Sequence, residues 1–164
     1  MKIQSVRQGY FFAFLIVLLI LGFIFLLQSQ GVIPCPLCLL QRMMLIGLSI
    51  IFFIGMIFPF KKRGQFFIGF LGILTSTLGL VFAGRQAWLQ HMPPVGNGGC
   101  GVSLEYLFNL LPFVDVMKLV WQGGTECSEI GWVFLHLSLA EWSFILFGLF
   151  FIFILWQLRR RVKK

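Results

Sequence analysis

Four cysteines are the residues of this 164-residue sequence best suited to chemistry, and their spacing separates them into two unlike pairs. Cys35-Pro36-Leu37-Cys38 is a CxxC. A two-residue spacer closes so small a ring that a disulfide there gains little from loop entropy, so the pair suits cycling between dithiol and disulfide better than stapling. Pro36 fits the first position of a helix, which puts Cys35 at the N-cap and Cys38 in the first turn, where backbone N–H groups and the helix dipole favour a thiolate. Cys38 is therefore the candidate nucleophile. Arg42 follows four residues later, one turn along the same face. A guanidinium there can hydrogen-bond a carbonyl acceptor such as a quinone, stabilise developing negative charge and hold a thiolate, or it can snorkel to membrane headgroups. Arg85 carries the same two readings, with the headgroups favoured.

Cys100 and Cys127 lie far apart in the chain. Alone, they read as the staple of an exported loop. Their surroundings, Gly98-Gly99-Cys100-Gly101 and Gly123-Gly124-Thr125-Glu126-Cys127, leave both sulfurs open to the in-line approach that thiol exchange requires. A zinc site built from all four cysteines is disfavoured, because structural zinc usually takes its thiolates from two close pairs. His91 is a minor candidate for a quinone site, although an interfacial histidine also serves simply as a polar side chain.

The elements that must position these residues are membrane spans. Hydrophobic residues make up 59% of the chain and charged ones 11%, with 21 Phe and a mean hydropathy of +0.97, which excludes an ordinary water-facing globule. Four apolar runs are expected to cross a bilayer, at about residues 10–27, 36–60, 66–86 and 137–158, as an all-α four-helix bundle and a single membrane domain over 1–164. Gln28-Ser29-Gln30 offers no small-x-small cleavage site, so the first run reads as a span and not a signal peptide. The net charge of +8 is not a nucleic-acid footprint. Lys2 and Arg7, then Lys61, Lys62 and Arg63, then Arg159, Arg160, Arg161, Lys163 and Lys164 flank the runs in a positive-inside pattern, which makes both termini cytoplasmic. All four cysteines then fall on the outer side, Cys35 and Cys38 at the mouth of the second span, where a short loop of about residues 28–35 ends, and Cys100 and Cys127 in a long loop of about residues 87–136. Gly69, Gly72, Ser76, Gly79 and Ala83 recur at helical spacing along the third run and should let a neighbouring helix approach closely. In the long loop, apolar residues at helical spacing predict a short amphipathic helix, best placed at 113–121.

The run Pro34-Cys35-Pro36-Leu37-Cys38-Leu39-Leu40-Gln41-Arg42 resembles the CxxC-plus-arginine signature of the disulfide bond formation protein B (DsbB) family, here with three residues between Cys38 and Arg42. The likeness extends over nearly the whole chain: the four spans, Arg85-Gln86, the two further outer cysteines, and Cys127-Ser128-Glu129 with Trp132 shortly after. It implies a disulfide-generating oxidoreductase of the bacterial inner membrane that regenerates a periplasmic, thioredoxin-fold dithiol oxidant of the DsbA kind. The resemblance further implies that the partner's thiolate attacks Cys100 to form a mixed disulfide and releases Cys127. Electrons then pass to Cys35 and Cys38, and from Cys38, with Arg42 holding the acceptor, to ubiquinone or menaquinone of the membrane pool. The pairing of the cysteines is an implication of the likeness, since four cysteines permit three pairings. The competing reading is a non-enzymatic four-span scaffold with structural disulfides; it does not account for a CxxC at a helix start with an arginine one turn on.

Overall fold

In a bilayer the backbone finds hydrogen-bond partners only within the chain, so long apolar runs become helices. The computed structural model describes residues 2–29, 35–58, 62–92, 112–122 and 133–162. Within them the chain forms α1 (Lys2–Ser29), α2 (Pro36–Ile57), α3 (Lys62–His91), a short α4 (Phe113–Gln122) and α5 (Leu139–Val162), with a small hairpin of β1 (Val133–Phe134) and β2 (Leu137–Ser138) before α5. Four of the helices are long and apolar enough to cross a membrane: α1, α2, α3 and α5. The chain is thus an all-α multi-pass membrane protein of the four-span kind, and α4 is the amphipathic helix expected in the long loop.

The helices differ in extent from the spans expected of the apolar runs. α1 and α3 continue past their runs at both ends, because polar residues such as Gln90 and His91 can remain helical where they reach water or a partner. α2 stops earlier, with Phe58 as its C-cap at φ −91° and ψ 124°, the extended conformation imposed on a residue that precedes a proline. α5 starts two residues later than its run, because Leu137 and Ser138 belong to the hairpin. Leu135 and His136 have φ of 52° and 65°, the left-handed pair that a two-residue hairpin turn demands.

Consecutive spans pack as neighbours: α1 on α2, α2 on α3, and α3 most extensively on α5. The small-residue stripe of α3 makes the last contact possible. A Cβ on Gly72 would lie 2.9 Å from Ile154 Cδ1, and one on Gly79 would overlap the Phe147 ring, while Ser76 and Ala83 are fully buried. Phe52 sits at the centre of the core, its ring 5.7 Å from that of Phe150 and 6.1 Å from that of Tyr10. Arg7 donates from Nε to the carbonyl of Met56 at 2.9 Å, answering an orphan carbonyl at the end of α2.

The fourth seam of the bundle, between α1 and α5, is tight at one end only. Near the chain termini Tyr10 meets Phe153 edge to face at 6.5 Å. Toward the other end the two helices leave a groove of about 540 Å³ between Leu19, Ile20 and Phe23 on α1 and Trp142, Ser143 and Leu146 on α5. This is also the end at which α2 begins with its cysteines.

Candidate functional site

The CxxC forms the N-terminus of α2. Cys35 is the N-cap, extended at φ −68° and ψ 161°, and Pro36 takes the first helical position. The Cys38 backbone N–H donates to Cys35 Sγ at 3.3 Å, and the two sulfurs lie 3.0 Å apart, Cys35 donating to Cys38. The first-turn N–H of Cys38 thus meets the Cys35 sulfur, because an N-cap side chain folds back onto the first-turn N–H groups.

Cys38 Sγ instead meets a neighbouring helix. Gln86 of α3 donates from Nε2 to this sulfur at 3.0 Å, and Gln41 of α2 donates from Nε2 to Gln86 Oε1 at 2.6 Å. Both glutamines are buried, at 5% and 4% exposure. Their role was missed in the sequence, although an amide within an apolar span is costly without a partner and is itself a signal.

Arg42 lies beside the same space. Nη1 donates to Gln28 Oε1 of α1 at 2.5 Å, and the guanidinium stands 5.3 Å from the centroid of the Phe25 ring. Its Nε is buried with no hydrogen-bond partner among the described residues. With Gln28, Cys38, Gln41 and Gln86, Arg42 lines a cavity of about 70 Å³. Ile24, Leu139 and Ser143 are common to this cavity and the groove between α1 and α5, so the two voids adjoin. A small cavity that Cys38, Arg42 and three amide side chains help to line thus lies next to an apolar slot. Such a pair of voids suits a ligand with a polar, carbonyl-bearing head and an apolar tail, and quinones have this form.

Cys35 lies under a cover. It is buried together with Leu37 against Val116 and Val120 of α4, with Phe82 and Leu89 alongside. Arg85 bonds that cover: Nε donates to the Trp121 carbonyl at the end of α4 at 2.9 Å, and the guanidinium lies 5.7 Å from the Trp121 ring centroid. A cation on the last carbonyls of a helix also complements its dipole.

His91 ends α3 outside the cavity lining. Nδ1 lies 2.9 Å from the Ala87 carbonyl, and Nε2 lies 3.7 Å from Glu141 Oε1, an ion pair when the histidine is protonated. Glu141 also completes a capping box with Ser138: the Ser138 N–H donates to Glu141 Oε2 at 2.7 Å, and the Glu141 N–H to Ser138 Oγ at 3.3 Å. Ser138 Oγ donates in turn to Gln90 Oε1 at 2.6 Å. The Ser-x-x-Glu pattern marks a helix start in the sequence and explains why α5 begins at Leu139. Cys35, Cys38 and Arg42 are thus brought together and His91 stands apart. Cys100 and Cys127 lie outside the described residues.

A family model described as "Disulfide bond formation protein DsbB" matches residues 6–157. Relatives named "Disulfide bond formation protein B" include one from Stutzerimonas stutzeri (strain A1501), 36% identical over 162 residues that cover 98% of this chain and 99% of that one. One from Acinetobacter baylyi is 39% identical over 142 residues, 84% of this chain and 81% of that one. One from Nitrosococcus oceani is 30% identical over 157 residues, 95% of this chain and 93% of that one. No solved structure matches.

Proposed function

The chain belongs to the disulfide bond formation protein DsbB family, a family of disulfide-forming membrane oxidoreductases, and from that premise we propose that it moves electrons from a periplasmic dithiol protein through two cysteine pairs to a membrane quinone. The observation that carries the proposal is that Cys38 and Arg42 line one cavity, with an apolar groove next to it between α1 and α5.

The thiol steps balance as exchanges. A thiolate of a thioredoxin-fold partner attacks Cys100 of a Cys100–Cys127 disulfide, releasing Cys127 as thiolate. The partner's second thiol then displaces Cys100, so the partner leaves oxidised and both loop cysteines are reduced. Exchange with a Cys35–Cys38 disulfide restores the loop disulfide and leaves Cys35 and Cys38 as a dithiol. Ubiquinone or menaquinone, when bound at the cavity, would accept two electrons and two protons from the Cys35 and Cys38 dithiol. Cys38 and Arg42 both line that space, so the guanidinium would hold an acceptor oxygen and the negative charge that develops on it. The reading puts the basic helix ends in the cytoplasm and the cysteine end at the periplasm of the bacterial inner membrane. A sideways entrance suits an acceptor that never leaves the lipid.

The test is anaerobic. The detergent-purified protein is reduced, freed of reductant and mixed with a soluble ubiquinone analogue or with a menaquinone, while quinone absorbance and free thiols are followed together. Loss of quinone matched to loss of thiols, and absent in Cys38→Ser, is expected. A folded protein that reduces neither quinone would point to the stapled scaffold instead.

A further inference from the structure

We propose that Gln86 is a catalytic residue of this site: its amide, oriented by Gln41, hydrogen-bonds the Cys38 sulfur and stabilises the negative charge that sulfur carries when it reacts. The inference rests on the reading of Cys35 and Cys38 as a redox pair.

A cysteine at the start of a helix is ordinarily activated by that helix. Here the first-turn N–H bonds the Cys35 sulfur at 3.3 Å, and the Arg42 guanidinium is drawn aside to Gln28. Gln86 brings a side-chain N–H to Cys38 Sγ from a different helix, at 3.0 Å. In a water-poor site a charged sulfur is costly unless donors face it, and each such bond is stronger there than in water. A neutral amide has a further merit: it supplies a donor without a proton that it could lose to the thiolate.

Gln41 decides which way the amide points. Its Nε2 donates to Gln86 Oε1 at 2.6 Å, so Gln86 turned about would set two NH2 groups against each other and aim an oxygen at the sulfur. Gln41 lies three residues after Cys38, on the same face of α2, and so can tether the amide that reaches over from α3. Gln41 acts through Gln86 and is a positioning residue.

The test measures N-ethylmaleimide alkylation of Cys38 in the reduced, quinone-free, full-length protein by peptide mass spectrometry. Gln86→Glu keeps the size of the side chain but replaces the donor with an acceptor when ionised, and Gln86→Leu removes the polar group. Near neutral pH both are expected to slow alkylation by at least about tenfold, the effect of one hydrogen bond to a charged group. The Gln86→Glu deficit is expected to shrink as the pH falls, because a protonated carboxyl can donate, while the Gln86→Leu deficit persists. Unchanged rates in both variants, or equal deficits that respond alike to pH, overturn the proposal, the second result assigning Gln86 to packing alone. Folding is checked by circular dichroism and monodisperse elution. If Gln86→Leu does not fold, the pH profile of Gln86→Glu decides; if neither does, Gln41→Leu decides by the same rate, with a slower reaction expected and an unchanged one overturning the tether. Alkylation that depends on Gln86 in a protein that reduces no quinone supports the amide's hold on the sulfur while removing the quinone reading.

Discussion

Arg42 is the residue whose surroundings separate a structural role from a chemical one. One Nη is engaged by Gln28 and the guanidinium lies over Phe25, while Nε is buried with no hydrogen-bond partner among the described residues and Arg42 lines the cavity. A hydrogen bond from this charged group to an acceptor oxygen is worth about 1.5–3 kcal/mol. Arg42→Ala is expected to lower kcat/KM for quinone reduction by roughly 10- to 100-fold while leaving alkylation of Cys38 within about threefold of wild type. An arginine that only anchors to headgroups would leave the quinone kinetics unchanged. Cys35, Cys38 and Arg42 were legible in the sequence because all three lie within the start of one helix, where spacing alone fixes their neighbourhood. The partners of Cys38 were not, because Gln86 comes from another helix and a local pattern does not say which residues of two helices meet.

At the scale of the element, α4 is a cover for the CxxC. Val116 and Val120 bury Cys35 to 4% exposure, and the Arg85 contacts with the Trp121 carbonyl and ring hold the far end of the helix. Ten residues form a short helix with little stability of its own, so its seating depends on such tertiary contacts. Arg85→Ala removes a hydrogen bond and a cation–π contact, together about 1–2 kcal/mol. It is expected to raise the rate at which a membrane-impermeant maleimide labels Cys35 in reduced protein by roughly 5- to 30-fold. An unchanged rate would mean that α4 does not control access. The existence of α4 was readable from its apolar spacing, and the small-residue stripe of α3 likewise foretold a close neighbour. That Arg85 bonds the end of α4 was not readable, because a helix end and a headgroup both suit a cation near a membrane surface and the sequence does not say which helix end is within reach.

The whole molecule is a bundle whose four spans follow one another in space, so its first and last helices must close it. They do so at the end bearing the termini, where Tyr10 meets Phe153, and stand apart at the cysteine end. No run of residues encodes that opening. It arises from two helices distant in sequence, which is why the spans could be counted beforehand but the opening could not be found. Read as the way in for a quinone, the opening makes a prediction with two parts. Leu146 lines the groove alone, whereas Ser143 stands where groove and cavity adjoin. Leu146→Trp should obstruct an isoprenoid tail but leave the head its place, raising KM roughly tenfold for a long-tailed quinone and much less for a short-tailed analogue. Ser143→Phe should obstruct the passage itself and raise KM for both. Leu78→Phe, a change of similar kind on α3 at a residue outside both voids, is the control and should alter neither. Steady-state kinetics in proteoliposomes and in detergent separate these cases. Equal effects of Leu146→Trp on the two quinones would exclude the groove as the seat of the tail, and an unaffected Ser143→Phe variant would mean that the acceptor reaches Cys38 by another route.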